Sequence, residues 1–279
     1  MKTQQQTIPI LGFGVYALDP ATTRRAVEDA LATGFRHVDT AQSYANESDV
    51  GAALAAFGLP RDDVFVTTKI TPRNLAPGAL VPSVEASREA LGVDCIDLTL
   101  IHYPSPWDEI PMEVYLEQLA EAQARGMTRQ VGVSNFTIAQ MIRAEEILGA
   151  GNVATNQVEI HVYHQNPKVV AHCRARAIPA TAYCALARGM VFGIPEARLG
   201  PHRTLVELAD KHGATVSQIC LAFLIAEGHI TLSTTIDPEQ MRDNLAARDV
   251  ALDASDMAAL RGMDRGKRIV EMPYFPDFD

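Results

Sequence analysis

TTRRAVEDALATG at residues 22–34 runs directly into FRHVDTAQSYANE at residues 35–47, and the order of features across this join decides the fold. Ala26, Ala30 and Leu31 recur at helical spacing and share one face, and Gly34 follows as a C-cap. Phe35 to Val38 then reads as a short buried strand ending in Asp39, with Tyr44 five residues later in a polar loop and a new helix starting near Asn46. A helix feeding a strand that feeds another helix is the repeating unit of a parallel sheet, in which right-handed crossovers carry the chain from strand to strand.

Runs of the same kind recur along the chain: ILGFG (10–14), VFVTTK (64–69), DLTLIH (97–102), QVGVSN (130–135), ATNQVE (154–159), PATAYC (179–184) and ITLSTT (230–235). With FRHVD they make eight candidate strands, and helical spacing resumes near Gly78, Pro111, Thr137, Pro167, His202 and Pro238. Eight strands and eight crossovers in 279 residues are most economically arranged as a closed (β/α)8 barrel, a TIM barrel of α/β class, with a doubly wound open sheet as the alternative. No Gly-, Pro- or Ser-rich linker divides the chain, so residues 1–279 are expected to form a single domain. The widest gap, from Cys184 to Ile230, contains LARGMVFGIPEARLGPH, and a cofactor or substrate loop is expected over 185–202. A C-terminal tail over 264–279, ending in EMPYFPDFD, is expected to cover the site.

A hydrophobic content of 47% supports a large core, and a formal charge of -10 argues against nucleic-acid or anionic-membrane partners, which require a basic face. Cys95, Cys173, Cys184 and Cys220 are widely spaced and form no C-x-x-C pair, so they are expected to be small core residues in a reducing compartment. MKTQQQTIPI lacks an apolar leader core, and the longest apolar run, ICLAFLIA at 219–226, is too short to cross a bilayer, so a cytoplasmic location is expected. His161 and His164 in HVYH have no evident third ligand; they are expected to be surface loop residues, and no metal is assigned.

In a parallel barrel the C-terminal ends of the strands converge on one mouth. Asp39 ends the second strand with Tyr44 just beyond, Lys69 ends the third and His102 ends the fourth. Each alone reads as a cap, a half-buried ring, a snorkelling amine or a satisfied core histidine. Together they crowd four titratable groups at one mouth, which costs desolvation without an evident structural return. The set suits carbonyl reduction: a phenol supplies the proton that the forming alkoxide needs, provided its pKa is lowered from near 10. Lys69 as an ammonium would stabilise the phenolate, Asp39 would keep that ammonium charged, and His102 would donate a hydrogen bond to the substrate oxygen. Tyr44 is then the general acid.

With these residues in place the sequence resembles the aldo-keto reductase superfamily, most closely its bacterial 2,5-diketo-D-gluconate reductase type. The resemblance rests on LGFG (11–14), FRHVDTAQSYANE, TTKI (67–70), DLTLIHYPSP (97–106), GVSNF (132–136), NQVE (156–159) and PEQMRDNL (238–245), and covers nearly the whole chain. It implies a barrel enzyme, mostly monomeric in this family, with Asp, Tyr, Lys and His in the roles above. GAGNVA at 149–154 spells a dinucleotide fingerprint but lies after a helix and before a strand, so it is discarded. The resemblance instead assigns the nicotinamide carboxamide to Ser134, Asn135 and Gln157, the nicotinamide face to Tyr183, further cofactor contacts to Leu186 and Arg188, and the adenosine end to Thr234, Thr235, Gln240, Asp243 and Asn244. Relatives selective for the 2′-phosphate usually carry Lys-Ser and a later Arg where this chain has Thr234, Thr235 and Gln240, so two positive charges are missing. NADP(H) is favoured from family frequency, with NAD(H) or dual use as the open alternative. Tyr16, Tyr103 and Trp107 are expected to line a pocket for a small-molecule carbonyl or alcohol.

Two other readings remain at this level. Lys69 could form a Schiff base as in a barrel aldolase, although pairing with Asp39 would keep it protonated. The fold could also serve as a non-catalytic nicotinamide-nucleotide binding protein, for which the complete tetrad has no use.

Overall fold

The protein is described by a computed structural model covering residues 7–193 and 202–273. Residues 194–201 of the expected loop and 274–279 of the expected tail lie outside the described residues. The strands are β1 (Leu11–Gly14), β2 (His37–Asp39), β3 (Phe65–Ile70), β4 (Ile96–Ile101), β5 (Thr128–Ser134), β6 (Val153–Glu159), β7 (Ala180–Tyr183) and β8 (Ile230–Ser233). All neighbours pair in parallel, and the register Leu11↔Thr231, Gly12↔Leu232 and Phe13↔Ser233 joins β1 to β8, so the sheet closes. The molecule is therefore a (β/α)8 TIM barrel rather than the open-sheet alternative.

Helices α1 (Pro20–Thr33), α2 (Glu47–Phe57), α3 (Leu80–Leu91), α4 (Met112–Ala124), α5 (Ile138–Leu148) and α6 (Pro167–Ala175) each follow the strand of the same number. The α1 sequence shows why its boundaries fall where they do. Asp19 caps the N-terminus by accepting from Thr22 N, and Pro20 fits the first turn, where its missing amide costs nothing. At the other end Gly34 turns left-handed at φ 119°, its amide reaching the carbonyls of Ala30 and Leu31. Ala26, Val27, Ala30 and Leu31 are buried between these caps, and Phe35 beyond them packs edge-on against Phe13 with ring centroids 5.7 Å apart.

The wide gap holds α7 (Arg203–His212) and α8 (Val216–Ala226), with α9 (Pro238–Ala246) and α10 (Ala254–Arg261) after β8. The ICLAFLIA run is the buried α8, and among the described residues no helix is long and apolar enough to cross a membrane. Asn46 joins two mouth loops to the barrel: its Nδ2 donates to Val15 O and Thr23 Oγ1, and its Oδ1 accepts from Thr40 Oγ1, all within 2.9–3.1 Å. A buried amide with each of these bonds made fixes the first two strand ends relative to each other.

Two expectations are corrected here. His161 is fully buried and His164 partly so, because a β-bridge between them folds HVYH back against the end of β6. The cysteines are all free, but only Cys173 and Cys220 are core residues, while Cys95 and Cys184 are partly exposed and Cys184 opens onto the mouth.

Candidate active site

The mouth of the barrel holds a cleft of about 1230 Å³, lined among others by Asp39, Tyr44 and His102 from the first half of the barrel and by Gln157, Tyr183 and Thr234 from the second. Lys69 lies beneath it, fully buried, because β3 runs one residue further to Ile70 and turns its lysine inward. The amine donates to Asp39 Oδ1 at 2.5 Å, Thr40 O at 2.8 Å and Tyr44 OH at 3.3 Å. All three hydrogens are engaged, one of them on the phenol, so the ammonium is fixed where negative charge on Tyr44 would develop. The same geometry argues against a Schiff-base role, since a protonated, hydrogen-bonded amine is no nucleophile.

Tyr44 does not have the lowered pKa expected of it. Burial of its hydroxyl is the largest effect, the charge of Asp39 adds to it, and together they push the phenol well above its ordinary value of 10.0. The phenol therefore holds its proton. His102 moves the opposite way: burial first, and then the Lys69 charge, drive it well below 6.5, so the imidazole is neutral. Its Nδ1 lies 3.2 Å from Ser43 Oγ, and its ring stacks on Tyr103 with centroids 4.5 Å apart and 11° between planes. When Ser43 donates to Nδ1, the Nε2 position carries the proton.

Across the mouth a second network joins the ends of β5, β6 and β7. Tyr183 OH donates to Asn135 Oδ1 at 2.7 Å, Asn135 Nδ2 donates to His102 O and Ser134 Oγ at 3.0 Å each, and Ser134 Oγ donates to Gln157 O at 2.8 Å. Asn135 adopts φ 62°, a left-handed turn that asparagine tolerates and that swings its amide back over the strand end. Gln157 Nε2 donates to Asp39 Oδ2 at 2.8 Å, which leaves Gln157 Oε1 available to a ligand amide. An acceptor, hydroxyls and a flat ring beside a cleft of this size fit a nicotinamide nucleotide. At the other end Thr234 Oγ1 donates to Gly14 O at 2.8 Å and Thr235 Oγ1 to Gln240 Oε1 at 2.8 Å. Among the described lining residues the only cations are Arg73 and Arg188, and Arg188 lies over the Tyr16 ring at 5.8 Å.

The Aldo/keto reductase family matches this chain over residues 11–265. The chain is an aldo/keto reductase. Methylglyoxal reductase DkgB of Escherichia coli O157:H7 is 40% identical over 263 residues, spanning 94% of this chain and 96% of that protein. The crystal structure of a protein provisionally named 2,5-diketo-D-gluconic acid reductase B superposes with a TM-score of 0.91 at 38% identity, covering 98% of this chain and 94% of that one. An aldo-keto reductase of Bombyx mori, solved in complex with NADP, gives a TM-score of 0.89 at 30% identity over 98% of this chain and 94% of its own. The resemblance read from the motifs is thus the family's, and the protein is a nicotinamide-nucleotide-dependent oxidoreductase of carbonyls and alcohols.

In this aldo/keto reductase the cleft lining also takes in Ser134, Asn135, Leu186, Arg188, Gln240, Asn244, Tyr16 and Tyr103. Thr235, Asp243 and Trp107 do not line it; Trp107 is 69% exposed on a short turn over Pro106–Asp108. Sequence reasoning passed over Ser43, Cys184 and Ser233. Cys184 and Ser233 stand within the runs PATAYC and ITLSTT, where the strand-end rule applied to every strand would have found them, whereas Ser43 lies in the turn Gln42–Tyr44 beyond β2 and is signalled only by its place beside Tyr44.

Proposed function

We propose that this enzyme reduces small aldehydes and ketones with Tyr44 as the proton donor, and that it takes NADP(H) by preference while still accepting NAD(H). The observation that carries the reading is the Lys69 ammonium, bonded to Asp39 and to Tyr44 OH at the cleft floor. A bound reduced nicotinamide would supply the two electrons and hydrogen that reach the carbonyl carbon. Tyr44 OH then protonates the carbonyl oxygen, and the phenolate left behind is held by Lys69, whose charge Asp39 balances. Neutral His102 donates Nε2–H to the same oxygen and aligns it. A phenol raised in pKa enters the reduction protonated, as the role of proton donor requires.

Gln157 Oε1 and Asn135 would hold the carboxamide, with Ser134 beside them, and Tyr183 would flank the ring. Leu186 and Arg188 would lie along the cofactor, and Thr234, Gln240 and Asn244 would receive the adenosine end, with Thr235 and Asp243 acting behind the lining. Neutral Thr and Gln at the 2′ position support a weakened phosphate preference. Tyr16 and Tyr103 would face the substrate, for which methylglyoxal and 2,5-diketo-D-gluconate are the first candidates, because the similar proteins carry those names. The reading extends to a monomer, as the family resemblance implies, and to the cytoplasmic location expected from the sequence. Tyr44→Phe tests it: turnover falls by about 10²–10⁴-fold while NADPH affinity stays within about two-fold, and near-normal turnover would overturn the assignment.

A further inference from the structure

The end of β6 carries a carboxylate that the reaction does not use. Glu159 is fully buried beside Tyr183, its register partner on β7. Oε1 accepts from Ile269 N at 2.6 Å and Oε2 from Val270 N at 2.8 Å, so two consecutive amides of the C-terminal tail grip one carboxylate. His161 completes the site. Its Nδ1 accepts from Tyr163 N at 3.2 Å, which leaves the proton on Nε2, and Nε2 donates to Glu159 Oε1 at 3.0 Å. Burial alone would raise the Glu159 pKa, but the bonds from His161, Val270 and Ile269 outweigh it and hold the group below its ordinary value. Further along, Tyr163 O accepts from Arg265 N and Lys267 N, and Asp264 Oδ1 accepts from Gln165 N. The folded-back HVYH turn and Glu159 thus form the seat of the tail, and Val270 at the seat and Met272 beyond it line the cleft.

We propose that Glu159 is a positioning residue for substrate selection: by clamping the amides of Ile269 and Val270 it fixes an apolar wall against which a carbonyl substrate larger than a three-carbon dicarbonyl packs. Val270 and Met272 line the same cleft as Tyr44, His102 and Tyr103, so a substrate with bulk beyond its reacting carbonyl packs on them. A small dicarbonyl does not reach it; an aryl carbonyl does. Replacing the carboxylate by an amide turns one acceptor into a donor, which then faces an N–H that it cannot bond.

The inference rests on the carbonyl-reductase reading, and the test separates the two. Wild type and Glu159→Gln are compared by amide hydrogen exchange over residues 264–273 and by kcat/KM for 4-nitrobenzaldehyde and methylglyoxal, with nucleotide-binding calorimetry as the check of fold. Exchange at Ile269 and Val270 at least ten-fold faster, with a fall of five-fold or more in the ratio of aryl to small-carbonyl kcat/KM arising in KM, is the expected result. Unchanged protection, or an equal change for both substrates, overturns the proposal. If Glu159→Gln does not fold, Val270→Ala keeps the carboxylate and removes the wall, and the same ratio must fall; an unmoved ratio overturns the proposal. Wild type that turns over neither carbonyl with either nucleotide defeats the reductase reading instead, and the exchange comparison still reports on the clamp.

Discussion

Gln157 Nε2 donates a 2.8 Å hydrogen bond to Asp39 Oδ2 across 118 residues of sequence, so the amide proposed to hold the nicotinamide also orients the carboxylate that balances Lys69. Asp39 Oδ1 faces Lys69 and Oδ2 faces Gln157, which ties the proton-transfer group and the nucleotide site to one side chain. Gln157→Ala removes a bond to a charged acceptor, of a kind worth about 1.5–3 kcal/mol. Its expected effect is two-fold in kind: weaker nucleotide binding, and a roughly ten-fold lower kcat at saturating nucleotide. Steady-state kinetics at several nucleotide concentrations decide this, and a change confined to affinity would show that Asp39 does not depend on Gln157.

Asp39→Asn leaves Lys69 buried without a carboxylate. Removing one partner of a buried ion pair costs about 3–5 kcal/mol, so the variant is expected to unfold at markedly lower urea as well as to lose activity. A midpoint equal to that of the wild type would mean that Thr40 O and Tyr44 OH suffice for the amine.

The pH dependence of reduction follows from two opposite shifts. Tyr44 stays protonated below a pKa raised well above 10.0, and His102 stays neutral above a pKa lowered well below 6.5. Between those limits neither group titrates, so kcat/KM for reduction is expected to be flat from about pH 6.5 to 9. A basic limb centred between about pH 7 and 9 would contradict the raised phenol.

Stability has its own pH dependence through His37, at the floor of the barrel. Its Nε2 lies 3.0 Å from Thr67 Oγ1, and burial lowers its pKa from 6.5 to about 4, against a weaker opposing pull from Asp39. Below 6.5 the unfolded chain binds the proton that the folded protein refuses, so the stabilisation present above 6.5 is lost as pH falls toward 4. The loss from this group amounts to at most about 3 kcal/mol. Urea unfolding at pH 7 and pH 4.5 measures it, and His37→Gln, which does not titrate, should flatten the curve by a comparable amount.

At the adenosine end, Thr234→Lys with Gln240→Arg restores two positive charges beside the proposed 2′ position. Charge-assisted contacts to phosphate are roughly twice as strong as neutral ones, so the NADPH to NADH affinity ratio is expected to rise about ten-fold or more. Calorimetric titration of both nucleotides reads it, and an unchanged ratio would place the 2′-hydroxyl elsewhere.

The sequence by itself determined the alternation of strands and helices, and with it a parallel sheet for which the closed barrel is the economical arrangement; the pairing of β1 with β8 closed it. Apolar runs such as VFVTTK and helical faces such as Ala26, Ala30 and Leu31 are local patterns that burial enforces wherever they occur. It also determined which chemistry stands at the mouth, because in a parallel barrel a residue at a strand end has few other places to go. What the tertiary structure decided was every property that depends on what surrounds a group. Tyr44 is raised rather than lowered because burial and the Asp39 charge act on the phenol more strongly than a lysine 3.3 Å away, and no spacing rule weighs those effects. His161 is a buried clamp rather than a surface residue because Glu159, two positions earlier, turns into the same pocket as the amides of Ile269 and Val270, more than a hundred residues later. Trp107 is 69% exposed on a turn that bends at a left-handed φ of 52°. Local patterns fix what a segment becomes; desolvation, charge and long-range hydrogen bonding fix what its side chains do, and these exist only once the barrel has closed.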